Sequence, residues 1–226
     1  MQTLDHWQAQ VRAVLAGGLR GSSLAPVLEA DEATRLAYAR AFADDAGHRR
    51  LVDPPLLAWV LGVELWEPPS TTRRDVRLWA ALTEPTVDPL SLIDSPAGPI
   101  APEAREEGIE VWTEIELASL QALWWHSSPS RERMRSNRDA QLGEPCHLVR
   151  TRARSHARWL MAELQPDNGT NRPWALATFA ELAAGGDTDA ALYAETLLHN
   201  CQVTLGKPDL LSTVLLLDAS RLLAAS

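Results

Sequence analysis

The sequence predicts an all-α protein of antiparallel helical hairpins, which becomes an α-solenoid or α/α-toroid-like array if an internal repeat is real. Three observations lead there. Apolar side chains recur every three to four positions in long stretches, the period of a helix with one buried face. Prolines head several of these stretches and glycines follow them, as helix starts and stops require. No stretch alternates apolar and polar residues as a half-buried strand would. With 226 residues, 46% of them hydrophobic, the chain is long enough to enclose a core.

Thr3 to Ala16 is expected to be amphipathic, with Leu4, Trp7, Val11, Val14 and Leu15 inward and Gly17–Gly18 as its end. Asp31 is placed to cap a helix running to about Asp45 that carries Leu36, Tyr38, Ala39 and Phe42. Pro54 and Pro55 open a short apolar helix, Leu56 to Trp66. Arg73 to Leu82 predicts another. Prolines 85, 89, 96 and 99 make the stretch from Glu84 to Pro102 a long connection whose apolar residues Leu90, Leu92 and Ile93 should pack. The longest helix is expected from Pro102 to His126, with Ile109, Trp112, Ile115, Glu116, Leu120, Leu123 and Trp124 on its buried stripe. After a polar, arginine-rich stretch from Ser130 to Gly143, a helix from Glu144 to Leu164 should turn Leu148, Trp159 and Leu160 inward. Gln165 to Arg172 reads as a tight polar loop. Pro173 starts the next helix, Asp187 caps another that runs to about Leu205, and Pro208 starts the last.

This divides the chain into N-terminal hairpins (1–83), a proline-rich packed connection (84–101) and a C-terminal bundle (102–226), with one continuous domain as the alternative. Pro54-Pro-Leu-Leu-Ala-Trp-Val-Leu61 registers without a gap on Pro208-Asp-Leu-Leu-Ser-Thr-Val-Leu215, which reads either as chance matching of helical periodicity or as a repeated hairpin.

The net charge of -9 argues against general nucleic-acid binding. No run approaches the roughly 18 apolar residues of a membrane span. Met1 to Gln10 is polar, unlike a signal peptide, and two cysteines make no disulfide framework, so a cytoplasmic protein is expected. Nine tryptophans against two tyrosines and two phenylalanines are expected as core and groove anchors. No cofactor is implied.

Asp167, Asn168, Thr170, Asn171 and Arg172 form the densest group of side-chain hydrogen-bonding residues. They read either as turn and cap chemistry or as a polar site, to which Glu195, His199 and His156 could contribute. Cys146, His147, His199 and Cys201 lack zinc-ligand spacing. Glu116, on an apolar stripe, is expected to pair with an arginine, and Asp218 lies within reach of Arg221. Arg150, Arg154 and Arg158 share one helix face, a candidate for an anion or an acidic partner within a locally basic stretch.

The blocks PDNGTNRPWA (166–175) and LYAETLLHNCQVTLGKPDLLSTVLLLDA (192–219) resemble a type of bacterial all-helical protein of unknown activity. Gln165-Pro-Asp-Asn-Gly169 is also similar to the Gln-x-x-Asp-Gly turns of α/α-toroid proteins such as terpenoid cyclases. That resemblance implies paired helices. It implies no cyclase activity, because the DxDD and DDxxD motifs are absent. The functional expectation is a helical interaction or scaffold protein with a protein partner or a homo-oligomeric state. The alternative is an enzyme or small-molecule binder with its site at the 167–172 loop.

Overall fold

The computed structural model describes residues 2–43, 52–64, 73–82, 84, 87–128 and 145–225, except for the side chains of 43, 145, 146, 167 and 168. Among them are eleven α-helices and no strand. The helices are α1 (Leu4–Leu19), α2 (Leu24–Leu28), α3 (Glu32–Ala43), α4 (Pro54–Leu61), α5 (Arg74–Ala80), α6 (Ile109–His126), α7 (Pro145–Glu163), the single turn α8 (Pro166–Gly169), α9 (Leu176–Ala184), α10 (Thr188–Val203) and α11 (Leu210–Ala225). Two 3-10 turns, Pro89–Leu92 and Pro102–Glu107, lie between α5 and α6.

Helix α6 is the axis of the molecule. Every residue from Trp112 to His126 is buried. Around it pack α5, α7, α8 and α9, while α11 packs on α1, α4 and α9. The expected apolar periods of α1 hold: Trp7, Val11 and Leu15 are buried. Caps form where short polar side chains precede a helix. Thr34 N–H donates to Asp31 Oδ1 at 2.8 Å, and Asp189 and Ala190 N–H both donate to Asp187 Oδ1.

Several expected boundaries move. Gly17 and Gly18 do not end α1, which continues to Leu19. A Cβ on Gly18 would lie 2.4 Å from Thr213 Oγ1, so this glycine lets α1 and α11 approach closely. The helix expected from Pro102 breaks at Gly108, whose φ of 99° and ψ of 155° suit glycine alone; a 3-10 turn precedes the break. Ile109, one residue later, is 55% exposed rather than buried. The helix from Leu56 closes at Gly62, and Trp66 and Asp45 lie outside the described residues.

In α7 the expected Leu160 is buried and Trp159 packs against the core, but Leu148 does not face inward. Val149, Arg152, Ala153, His156, Ala157 and Leu160 are buried, and Leu148 is exposed. The face could not be found from apolar residues alone, because two of its six inward positions are charged or titratable. The expected helix at Pro173 begins at Leu176, after a turn that holds Ala175 at a left-handed φ of 55°. The proline-rich connection does pack, through buried Leu92, Ile100 and Ala101. Of the two similar segments, the first begins its helix at Pro54, whereas Pro208 stands two residues before the helix that starts at Leu210.

Gly17 and Gly18 make a controlled pair. Gly17→Ala meets nothing within 4 Å and is expected to stabilise by about 0.5–1 kcal/mol, as glycine in a helix interior costs that much. Gly18→Ala collides with Thr213 and should destabilise by roughly 1–3 kcal/mol. Urea unfolding monitored by circular dichroism reads both; equal shifts of one sign would refute the close approach of α1 and α11.

Candidate functional site

The polar loop is folded inward. Pro166–Gly169 forms the single turn α8, and the buried Thr170 hydroxyl donates to Glu114 Oε1 at 3.0 Å and accepts from Arg172 N–H at 2.9 Å. Asn200 of α10 donates through Nδ2 to the carbonyls of Pro166 and Thr170. Arg172 pairs with Asp209 at the entry to α11. A Cβ on Gly169 would lie 2.7 Å from Thr113, so the loop backbone sits directly on α6. Asn171 is half-buried. The side chains of Asp167 and Asn168 lie outside the described residues. The loop thus ties α6, α10 and α11 together.

Glu195 and His199 are not brought to this loop. Both are exposed on the outer face of α10, and Glu195 accepts from Gln2 Nε2 at 2.6 Å. The residue of that helix that reaches the loop is Asn200, and nothing in the sequence distinguished it from its neighbours. Cys201 points into the core, where burial, reinforced by Asp209, pushes its thiol up to about 12. A thiol so raised is a weak nucleophile at neutral pH. Cys146 lies among the side chains that are not described.

His156 belongs not to this loop but to a second polar centre, built on Glu116 of α6. Glu116 Oε2 accepts from Ile100 N–H at 2.8 Å, and Oε1 accepts from Ala101 N–H at 2.9 Å and Trp112 Nε1 at 3.0 Å. His156 Nε2 lies 3.2 Å from Glu116 Oε2, and Nδ1 lies 3.1 Å from the Gly98 carbonyl. The ring stacks on Trp159 with centroids 5.4 Å apart. Arg152 donates to the carbonyls of Ser95 and Gly98. Glu116 therefore pairs with a histidine and backbone amides, not with the arginine expected. Arg152, whose guanidinium is lowered by burial and raised by Glu116, serves the carbonyls of the same strap. Both Glu116 and His156 are wholly buried, so the pair clamps residues 95–101 against α6 and α7.

A third centre surrounds Asp218. Its carboxyl accepts from Gln121 Nε2 at 2.6 Å and from Trp125 Nε1 at 3.0 Å. Gln121 Oε1 in turn accepts from the strained Ala175 N–H. Arg221 does not bond Asp218; it donates to the Trp59 carbonyl at 2.8 Å. Trp59 meets Trp125 edge-on at 4.5 Å. Burial pushes the Asp218 carboxyl up to about 7 against the opposing pull of Trp125, Gln121 and Arg221. A raised carboxyl is an acid–base candidate only where a substrate can reach it. The crevice beside it, lined by Gln121, Ala175, Thr178 and Leu222 among others, has no room for a water molecule.

Of the proposed basic face, Arg150 is occupied. It pairs with Glu181, which also accepts from Trp124 Nε1, and its guanidinium lies 3.4 Å over the Trp124 ring. Arg154 and Arg158 remain exposed. Residues 131–138 with their four arginines lie outside the described residues. Among the described residues no three histidine, cysteine or acidic side chains cluster as metal ligands, and no helix is long and apolar enough to cross a membrane.

Two substitutions probe the buried centres. Glu116→Gln leaves one of its amide donors unmatched and His156 without its carboxylate, and should cost about 3 kcal/mol. Hydrogen exchange at the Ile100 and Ala101 amides should accelerate more than at α11; uniform acceleration would refute the clamp. For Asp218, the folded form holds its proton to a higher pH than the unfolded chain. Its stabilising contribution is full below about pH 4 and is lost as pH rises through about 7. Asp218→Asn should flatten stability across that window in urea titrations, and an unchanged slope would show that Asp218 is not its source. No family model, curated protein or solved structure matches the chain, so the functional reading rests on this geometry.

Proposed function

We propose that the chain is a helical protein-interaction or scaffold module. The observation that carries this reading is where the polar residues go. Thr170, Arg172, Glu116, His156 and Asp218 are each bonded inside the fold, holding helices and straps in place. What faces outward on α10 is of another kind. Leu192 and Val203 are both more than 60% exposed on the stripe that also carries Glu195 and His199, and Leu205 follows just beyond the helix. Exposed apolar side chains on one helix face give a partner something to bury. The reading as an enzyme or binder at the 167–172 loop has weaker support, because Thr170 and Arg172 are already engaged by α6 and α11.

The test compares two variants as baits in extracts of the native cell. Leu192→Asp with Val203→Asp should lose the partner that the unaltered chain captures, at an unchanged melting temperature. Asn171→Ala, in the loop, should retain it. Loss through the loop variant alone, with the α10 variant unaffected, would reverse the assignment.

A further inference from the structure

We propose that the outer face of α10 associates with the same face of a second copy of this chain, as an antiparallel pair about a two-fold axis. The inference rests on the interaction reading above and names its partner. Residues 192, 196, 199 and 203 fall on one line of the helix, separated by four, three and four positions, with Glu195 beside it. The opposite side, Ala190, Tyr193, Ala194, Leu197, Leu198 and Cys201, is in the core. Tyr193 anchors that side by donating to the Leu164 carbonyl at 2.8 Å and stacking on Phe179. The helix is thus held firmly while its outer line stays open.

That line is complementary to itself. Two copies run antiparallel about a point midway between residues 197 and 198 bring Leu192 of one over Val203 of the other. In that register Glu195 falls one residue, about 1.5 Å along the axis, from the facing copy's His199, twice, within reach for a carboxylate oxygen to accept from an imidazole N–H. A two-fold interface requires this kind of matching, in which one patch satisfies itself. Gln2 Nε2 already holds Glu195 Oε1, which orients the carboxylate and leaves Oε2 for the partner. A line from Leu192 to Val203 is roughly 16 Å long at the helical rise. That is short for a standard interface, and so the dimer should be weak, with a dissociation constant of roughly micromolar order.

Sedimentation equilibrium of the purified chain across a range of concentrations tests this. The expected result is a monomer–dimer equilibrium that Leu192→Asp weakens at least tenfold. Glu195→Lys should weaken it likewise, and adding His199→Glu to Glu195→Lys should restore it. Circular dichroism melting checks that each variant folds. A chain monomeric at every concentration overturns the proposal, as does a dimer indifferent to all three changes. If that monomer still captures a partner that the α10 variant loses, the second copy fails as occupant and the interaction reading stands. If it captures nothing, both fail.

Discussion

A helix buried on every side has to find an internal partner for each polar group it carries, and α6 imposes that requirement on the rest of the molecule. From Trp112 to His126 every residue is buried, yet the stretch includes Thr113, Glu114, Glu116, Ser119, Gln121 and His126. Thr113 and Ser119 return their hydroxyls to carbonyls one turn back in the same helix. The others reach outward: Glu114 to Thr170, Glu116 to the 98–101 strap and His156, Gln121 to Asp218 and Ala175, His126 to the Leu78 carbonyl. Each of these bonds positions a different neighbour. An unmatched buried group costs about 1–3 kcal/mol, so the neighbours are held where the partners are needed.

The tryptophans extend the same logic. Trp112 and Trp125 each donate an indole N–H to a buried carboxylate, and Trp124 donates to Glu181. Each ring also covers a neighbour: Trp112 meets Trp159, Trp125 meets Trp59, and Trp124 lies under Arg150. A large apolar ring with one donor is suited to lying beside an acid in a dry interior, because it supplies contact area and the hydrogen bond together. The strain at Ala175 has a comparable origin. Its left-handed backbone is the conformation in which its N–H meets Gln121, and the turn from the polar loop into α9 is set by that contact.

These arrangements bear on function through what they leave over. The loop that looked most like a site is a three-way fastener, and the buried acids are braces. Among the described residues, exposed polar and apolar side chains stand on the outer face of α10, and arginines 154 and 158 of α7 are exposed.

The local pattern by itself determined the helical class, most helix positions and the caps at Asp31 and Asp187, because periodicity and capping act within a few residues of one another. It also marked Glu116 and Asp218 as misplaced for an apolar stripe. The tertiary structure alone decided their partners: His156 lies 40 residues from Glu116, and Gln121 lies 97 from Asp218. It likewise decided that Gly18 sits inside a helix, since the reason is Thr213 on a distant element. The inward face of α7 was hidden for the same cause. Arg152 and His156 are inward because carbonyls of the 95–98 strap await them, and contacts between remote segments leave no period in the chain.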